Sequence, residues 1–308
     1  MCTDHDHQGL IRDVGLTRRE FVMGIGSLAV ASSVGSTASA AEASPAAATK
    51  AAANGSAAGV VEREVEVPTA HGTADAVLFH PAGKGQWPAV LVWPDILGLR
   101  PVFRELGRRL AAQGYTVLVP NPFYRSKRAP VVEGTFDFGN PADRAKVFAM
   151  RGAMSDAGID SDSIAFLKFL DAQPPTDRSR KAGVHGYCMG GPLSFRTAAA
   201  APERIGAVAS FHGAGLVTAE PSSPHLLIAK TQAEYLVAIA KNDDAKEPAA
   251  KETLQATFKA AGRPATVEVY QANHGWCVFG GQSHHEAEAE RAWTELGKLY
   301  ARSLKGAR

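Results

Sequence analysis

The chain has 308 residues, 45% hydrophobic and 21% charged, the make-up of a soluble globular protein with ample apolar material for a core. A formal charge of +2, with no basic run interleaved with aromatics, argues against nucleic acid as a partner. Three cysteines cannot build a disulfide framework, so each thiol needs its own explanation.

In chain order, the first stretch reads as an address. Thr17, Arg18, Arg19, Glu20 and Phe21 precede a short apolar run over 22–34, and Ala38, Ser39 and Ala40 close it with a small-x-small pattern. This order predicts a bacterial signal peptide over 1–40. Paired arginines followed by x-Phe resemble a twin-arginine signal, which makes the twin-arginine export machinery a transient partner and the location periplasmic or secreted. The apolar run is shorter than the ~20 residues a membrane span needs, so no stable membrane association is expected once the signal is removed. Cys2 and the run Asp4, His5, Asp6, His7 fall on this leader and are read as incidental to metal binding. Residues 41–59 are Ala, Ser, Gly, Pro, Thr and Asn with almost no large apolar side chain, a flexible linker by composition.

The folded domain is expected over 60–308. Residues 61–67 alternate apolar and charged, as a half-buried strand does, and 74–79 look like its partner. The continuous apolar run 89–93 reads as a strand covered on both faces. A helix over 102–113 stops at Gly114, and 115–120 is the next buried strand. A long connection covers 121–140, followed by helical spacing to about Leu170. Short strands are predicted at 183–186, 207–211, 235–240 and 266–270, with helices at 249–261 and 286–304. Strands and helices in alternation predict an α/β fold: a mostly parallel central sheet with helices on both faces, and one domain.

Chemistry concentrates at Gly186-Tyr187-Cys188-Met189-Gly190-Gly191, between a short strand and an Ala-rich helix. A sharp strand-to-helix turn strains its central residue and demands glycine two positions before and two after, which is the nucleophile elbow. The following helix start favours a thiolate, and the Met189 amide points toward a developing oxyanion. A lone buried Cys is also an ordinary small apolar residue, and it is the placement after a strand that favours a nucleophile. Partners follow in the order this fold requires: Asp243 or Asp244 just past the strand 235–240, then His274 just past 266–270. His274 would accept the Cys188 proton, with the acid fixing its orientation; Asp243 is the first acid past the strand, and Asp244 stays open as its rival.

These residues resemble the dienelactone hydrolase (carboxymethylenebutenolidase) family of α/β-hydrolases. The resemblance rests on 186–191, on Asn273-His274-Gly275-Trp276, on Trp93-Pro94-Asp95-Ile96-Leu97-Gly98, and on Phe211-His212-Gly213. It implies that Asp95 switches Cys188 between thiol and thiolate and that the Ile96 amide joins Met189 in the oxyanion hole. It also implies a pair of substrate-carboxylate arginines. Arg144 is the nearest match to one, and Val278 stands where the other would be, which leaves the pocket more apolar. Trp276 and Tyr124 are further pocket candidates, and Arg125 is read beside Tyr124. The function so implied is cleavage of a small ester or lactone through a Cys-His-Asp triad and a thioester acyl-enzyme. Neither metal nor organic cofactor is implied. The competing reading is a non-catalytic or redox-responsive exported protein that uses Cys188 as a reactive or ligand-binding thiol.

Overall fold

The computed structural model describes residues 56–57 and 59–306. The expected signal peptide and nearly all of the expected linker lie outside the described residues. Ser56–Ala57, expected inside that linker, instead forms a short strand, β1, which pairs antiparallel with Val60 and Val61. Gly59, at φ +93°, makes the reversal between them in a conformation that glycine adopts without strain.

Eight longer strands follow: β2 Val60–Thr69, β3 Gly72–Pro81, β4 Ala89–Trp93, β5 Thr116–Pro120, β6 Ala182–Tyr187, β7 Ile205–Phe211, β8 Glu234–Ala240 and β9 Ala265–Tyr270. They form one sheet in the order β1-β2-β3-β5-β4-β6-β7-β8-β9. Antiparallel pairing runs from β1 to β5, and every pair from β5 onward is parallel. The switch follows from the connections. A tight turn joins β2 to β3, whereas the parallel strands need helical crossovers. Residues in β4, β5 and β6 are buried along their whole length, as continuous apolar runs in a doubly covered sheet should be.

Helices α1 Pro101–Ala112, α2 Pro141–Gly152, α3 Asp156–Asp171, α4 Gly190–Ala200, α5 Pro224–Leu227, α6 Lys241–Lys246, α7 Pro248–Ala261 and α8 Glu286–Lys305 fill the connections. Side chains alternating along β6 divide the two faces. Tyr187 meets Phe103 of α1 and His185 bonds Tyr300 of α8 at 2.8 Å, so those helices share one face. On the other, Trp93 of β4 donates to Thr197 of α4 at 2.9 Å and packs edge-on against Phe166 of α3. The connection 121–140 holds no helix or strand, as expected of it. Among the described residues no helix is long and apolar enough to cross a membrane.

Parallel strands place their carboxyl ends on one edge of the sheet. That edge collects the loop after β4, the β6–α4 turn, the end of β7, the start of α6 and the loop after β9. Ligands of open α/β sheets bind along this carboxyl edge.

Candidate active site

At the end of β6, Cys188 takes φ +52°, a left-handed conformation that costs a side-chain-bearing residue about 1–2 kcal/mol. The turn is so tight that no side chain fits beside it. A Cβ on Gly186 would lie 2.1 Å from the Gly190 carbonyl oxygen, and one on Gly190 would lie 2.3 Å from that of Trp93. On Gly191 it would meet Ser210 Oγ at 2.4 Å and Gly213 Cα at 2.7 Å. The glycines are required by contact, and they let α4 start directly behind the thiol. Cys188 and Met189 are both buried, with Met189 at the N-cap of α4.

His274 follows β9 and is 1% exposed. Its backbone N–H donates to Asn242 Oδ1 at 2.7 Å, and its Nδ1 lies 2.7 Å from Asp243 Oδ2. Asp243 was expected on a loop; it sits instead in the first turn of α6, because the helix begins immediately where β8 ends. Helix geometry then turns the neighbouring acid elsewhere, and Asp244 pairs with Lys251 of α7 at 3.1 Å. A second histidine, His212 at the end of β7, joins these groups. Its Nδ1 accepts the Cys188 N–H at 3.1 Å, and its ring meets that of His274 at a centroid distance of 4.7 Å. Contacts therefore run unbroken from the Cys188 backbone through His212 and His274 to Asp243.

Asp95 is wholly buried on the loop after β4, next to Pro94, whose carbonyl lies against Gly190 of the elbow. Both carboxylate oxygens are engaged by Arg100, at 2.6 and 2.9 Å, and Oδ1 also accepts the Leu97 N–H at 2.9 Å. The structure thus gives Asp95 an ion-pair partner that the switch expectation did not include. Ile96, also fully buried, lies between Asp95 and Leu97 in this turn, which a Gly98 N–H to Asp95 carbonyl bond closes at 2.9 Å.

Of the expected pocket residues, Tyr124 and Arg144 are engaged in structural bonds and Trp276 packs against His212. The Tyr124 hydroxyl bonds Thr69 Oγ1 at 2.7 Å and Asp162 Oδ1 at 2.8 Å, and Arg125 pairs with the same Asp162 at 2.7 Å. Together they tie the loop after β5 to the β2–β3 hairpin and to α3. Burial raises the Tyr124 phenol to about 12, which keeps it neutral. Arg144, on α2, donates to the Phe138 carbonyl at 2.9 Å and so braces the end of the 121–140 connection. Trp276 is completely buried, stacked on Tyr270 at 5.2 Å and edge-on to His212 at 5.1 Å, and so packs beside the site. Val278 is fully buried, so no charge occupies that position. Burial foremost, and then the Glu288 carboxylate, push the half-buried Cys277 thiol well above its ordinary range, which makes it a poor nucleophile.

A cavity of about 170 Å³ opens beside Asp243, walled by Leu216, Ile239 and Leu254. Neither Cys188 nor His274 lines it, so it lies behind the acid. Among the described residues no cluster of three or more His, Cys, Asp or Glu is placed to hold a metal ion. Sequence reasoning missed the parts played by Arg100 and Asn242, and it noted His212 only within a motif. Asn242 had a readable signal in its place next to the acid, and Arg100 had none beyond lying near Asp95.

The model of the Dienelactone hydrolase family matches residues 74–304. The chain is 27% identical over 247 residues to a Synechocystis sp. protein named "Putative carboxymethylenebutenolidase", across 78% of this chain and 96% of that one. It is 32% identical over 117 residues to a carboxymethylenebutenolidase of Pseudomonas sp., across 38% of this chain and 46% of the relative. A solved Klebsiella pneumoniae structure described as a "Putative Dienelactone Hydrolase" superposes with TM-score 0.68 at 22% identity, across 79% of this chain and 99% of that one, a likeness of fold. The chain belongs to the dienelactone hydrolase family, has the α/β-hydrolase fold of that family, and is a carboxylic ester hydrolase.

Proposed function

We propose that this hydrolase cleaves a small ester or lactone by acyl transfer through Cys188, His274 and Asp243. The observation that carries the reading is the 2.7 Å contact between His274 Nδ1 and Asp243 Oδ2, made beside a cysteine held in a left-handed elbow. The Cys188 thiol gives its proton to His274 as sulfur attacks the carbonyl carbon, and a C–S bond forms. The oxyanion is held by the Met189 and Ile96 amides, whose rigid backbone setting is worth most when it needs no rearrangement. Collapse breaks the ester C–O bond, and His274 returns the proton to the leaving alkoxide. Water then attacks the thioester as His274 takes its proton, the C–S bond breaks to release the acid, and His274 returns the proton to the sulfur. In a lactone the alcohol and acid remain one molecule.

Asp95 is assigned to the loop that carries the Ile96 amide, with a switch role open to it only if the Arg100 pair parts. The buried Val278 and Trp276 favour a substrate that is apolar on that side over one that is anionic there. The family membership gives no support to a non-catalytic thiol-binding role. The reading is tested by turnover of a lactone and aryl-ester panel, dienelactone included, with residues 41–308 and their Cys188→Ala variant. Turnover that disappears in the variant supports it, and turnover that survives would overturn the cysteine mechanism.

We further propose export by the twin-arginine route to the periplasm or beyond. Fractionation of cells making the full chain and its Arg18→Lys/Arg19→Lys form tests this. Export by a twin-arginine route should stop in the variant, and equal export of both would rule that route out.

A further inference from the structure

His212 lies at the centre of this site, yet the acyl transfer described above leaves it without a task. It ends β7 with its backbone in the left-handed region, φ +42°, and its own N–H donates to the Ala238 carbonyl at 2.8 Å. The side chain is completely buried. Nδ1 accepts the Cys188 N–H at 3.1 Å, sharing that hydrogen with the Phe211 carbonyl at 3.0 Å. A ring nitrogen that accepts carries no proton, so the neutral ring carries its hydrogen on Nε2. The same ring meets His274 edge to face at 4.7 Å and Trp276 at 5.1 Å, the spacing and tilt that aromatic pairs prefer. One imidazole thus touches both the backbone of the nucleophile and the ring of the base.

Resting on the assignment of Cys188 and His274 to acyl transfer, we propose that His212 is a positioning residue that holds these two groups in register. Its acceptor nitrogen supports the amide of a residue in a strained conformation, where the last ladder bond of β6 would otherwise act alone. Asp243 holds Nδ1 of His274 while the His212 ring meets the same imidazole edge to face, so the base is packed as well as hydrogen-bonded as it gains and returns its proton. A neutral His212 serves both ends. An imidazolium would turn an N–H against the Cys188 N–H and set a second positive charge beside His274. The titratable groups facing His212 are Cys188, His274, Tyr187 with its ring 6.0 Å away and, behind His274, Asp243.

The test compares wild type with His212→Ala, His212→Phe and His212→Asn. Asn tolerates a left-handed backbone and offers an acceptor near the Nδ1 position, while Phe keeps the ring and loses the acceptor. Aryl-ester turnover gives kcat and KM. Iodoacetamide alkylation of the Cys188 peptide, followed by mass spectrometry across the thiol titration range, gives the ionisation profile. His212→Ala should lower kcat about 10- to 100-fold with KM little changed, the cost of a small misplacement of reacting groups. It should also displace the alkylation profile, which a merely structural loss would leave in place. His212→Asn should recover the profile and His212→Phe should not. An unchanged kcat and profile in His212→Ala would overturn the proposal. If that variant does not fold, equal kcat and equal profiles in the Asn and Phe variants would overturn it instead. Absence of Cys188-dependent turnover in wild type defeats the parent assignment, whereas turnover that ignores His212 defeats this inference alone.

Discussion

Asp95 and Arg100 form a two-pronged ion pair, at 2.6 and 2.9 Å, with both side chains almost wholly removed from water. The pair holds the turn that carries Ile96, and the Leu97 N–H adds a third bond to the carboxylate. Removing one member of a buried pair strands the other charge at a cost of about 3–5 kcal/mol, whereas removing both is far milder. Arg100→Met should therefore lower stability by that order, and Asp95→Asn combined with Arg100→Met should restore most of it. Denaturant unfolding of the single and double variants measures this. A double variant no better than Arg100→Met would mean that the stranded charge is not the cause. Turnover in Arg100→Met should fall further than the stability loss explains, because the turn proposed to hold the oxyanion loses its clamp.

Two adjacent aspartates with different partners predict different losses. In the proposed triad Asp243 orients His274, and losing such a carboxylate costs on the order of 10⁴-fold in kcat while geometry survives. Asp244 pairs with Lys251, a partly exposed pair worth about 0–1 kcal/mol. Asp243→Asn should thus nearly abolish turnover, while Asp244→Asn should leave kcat within a few-fold of wild type. Steady-state kinetics on one aryl ester separates the two. Equal losses would remove Asp243 from its assigned post.

How far the sequence disclosed this arrangement follows from the range over which each feature is decided. The run Ala89–Trp93 was legible as a strand because burial on both faces is written into five consecutive apolar residues. The elbow was legible because its glycines answer to contacts within one turn. The choice between Asp243 and Asp244 was not, since it depends on α6 beginning at Lys241 and on the direction in which each side chain then leaves the helix. Tyr124 looked available because a loop tyrosine shows nothing of Thr69 and Asp162, 55 and 38 positions away. Arg100 stayed hidden for the opposite reason. It lies five positions from Asp95, and only the turn closed by Gly98 brings the two together.

The glycines divide into those that contacts require and those the fold merely tolerates. A Cβ at Gly190 would press on the Trp93 carbonyl oxygen at 2.3 Å and that of Pro94 at 2.8 Å, both backbone atoms with little room to move. Gly190→Ala should cost at least about 3 kcal/mol, the upper range for overpacking a tight site, and should remove turnover. Gly297 lies inside α8 with nothing within 4 Å of its would-be Cβ. There Gly297→Ala should stabilise by about 0.5–1 kcal/mol, because alanine restricts the unfolded chain and favours the helix. Thermal unfolding of the two variants checks the contrast, and a stabilised Gly190→Ala would contradict the elbow geometry.

Acid sensitivity should trace in part to His185. It is buried between the sheet and α8, with Nδ1 bonded to the Tyr300 hydroxyl at 2.8 Å, and burial pushes its pKa down to about 3. In the unfolded chain the same ring titrates at about 6.5. Between those values the unfolded state takes up a proton that the folded state refuses, so stability falls as pH falls through that window. The slope from one such group is about 1.4 kcal/mol per pH unit, and above the window the group contributes no pH dependence. His185→Gln keeps a hydrogen-bonding side chain for Tyr300 and removes the titration. Denaturant midpoints for wild type and variant, read at neutral pH and about two units below the histidine's unfolded pKa, should diverge by about 2–3 kcal/mol in acid-induced loss. Parallel losses in the two proteins would clear His185 and place the acid sensitivity among the carboxylates.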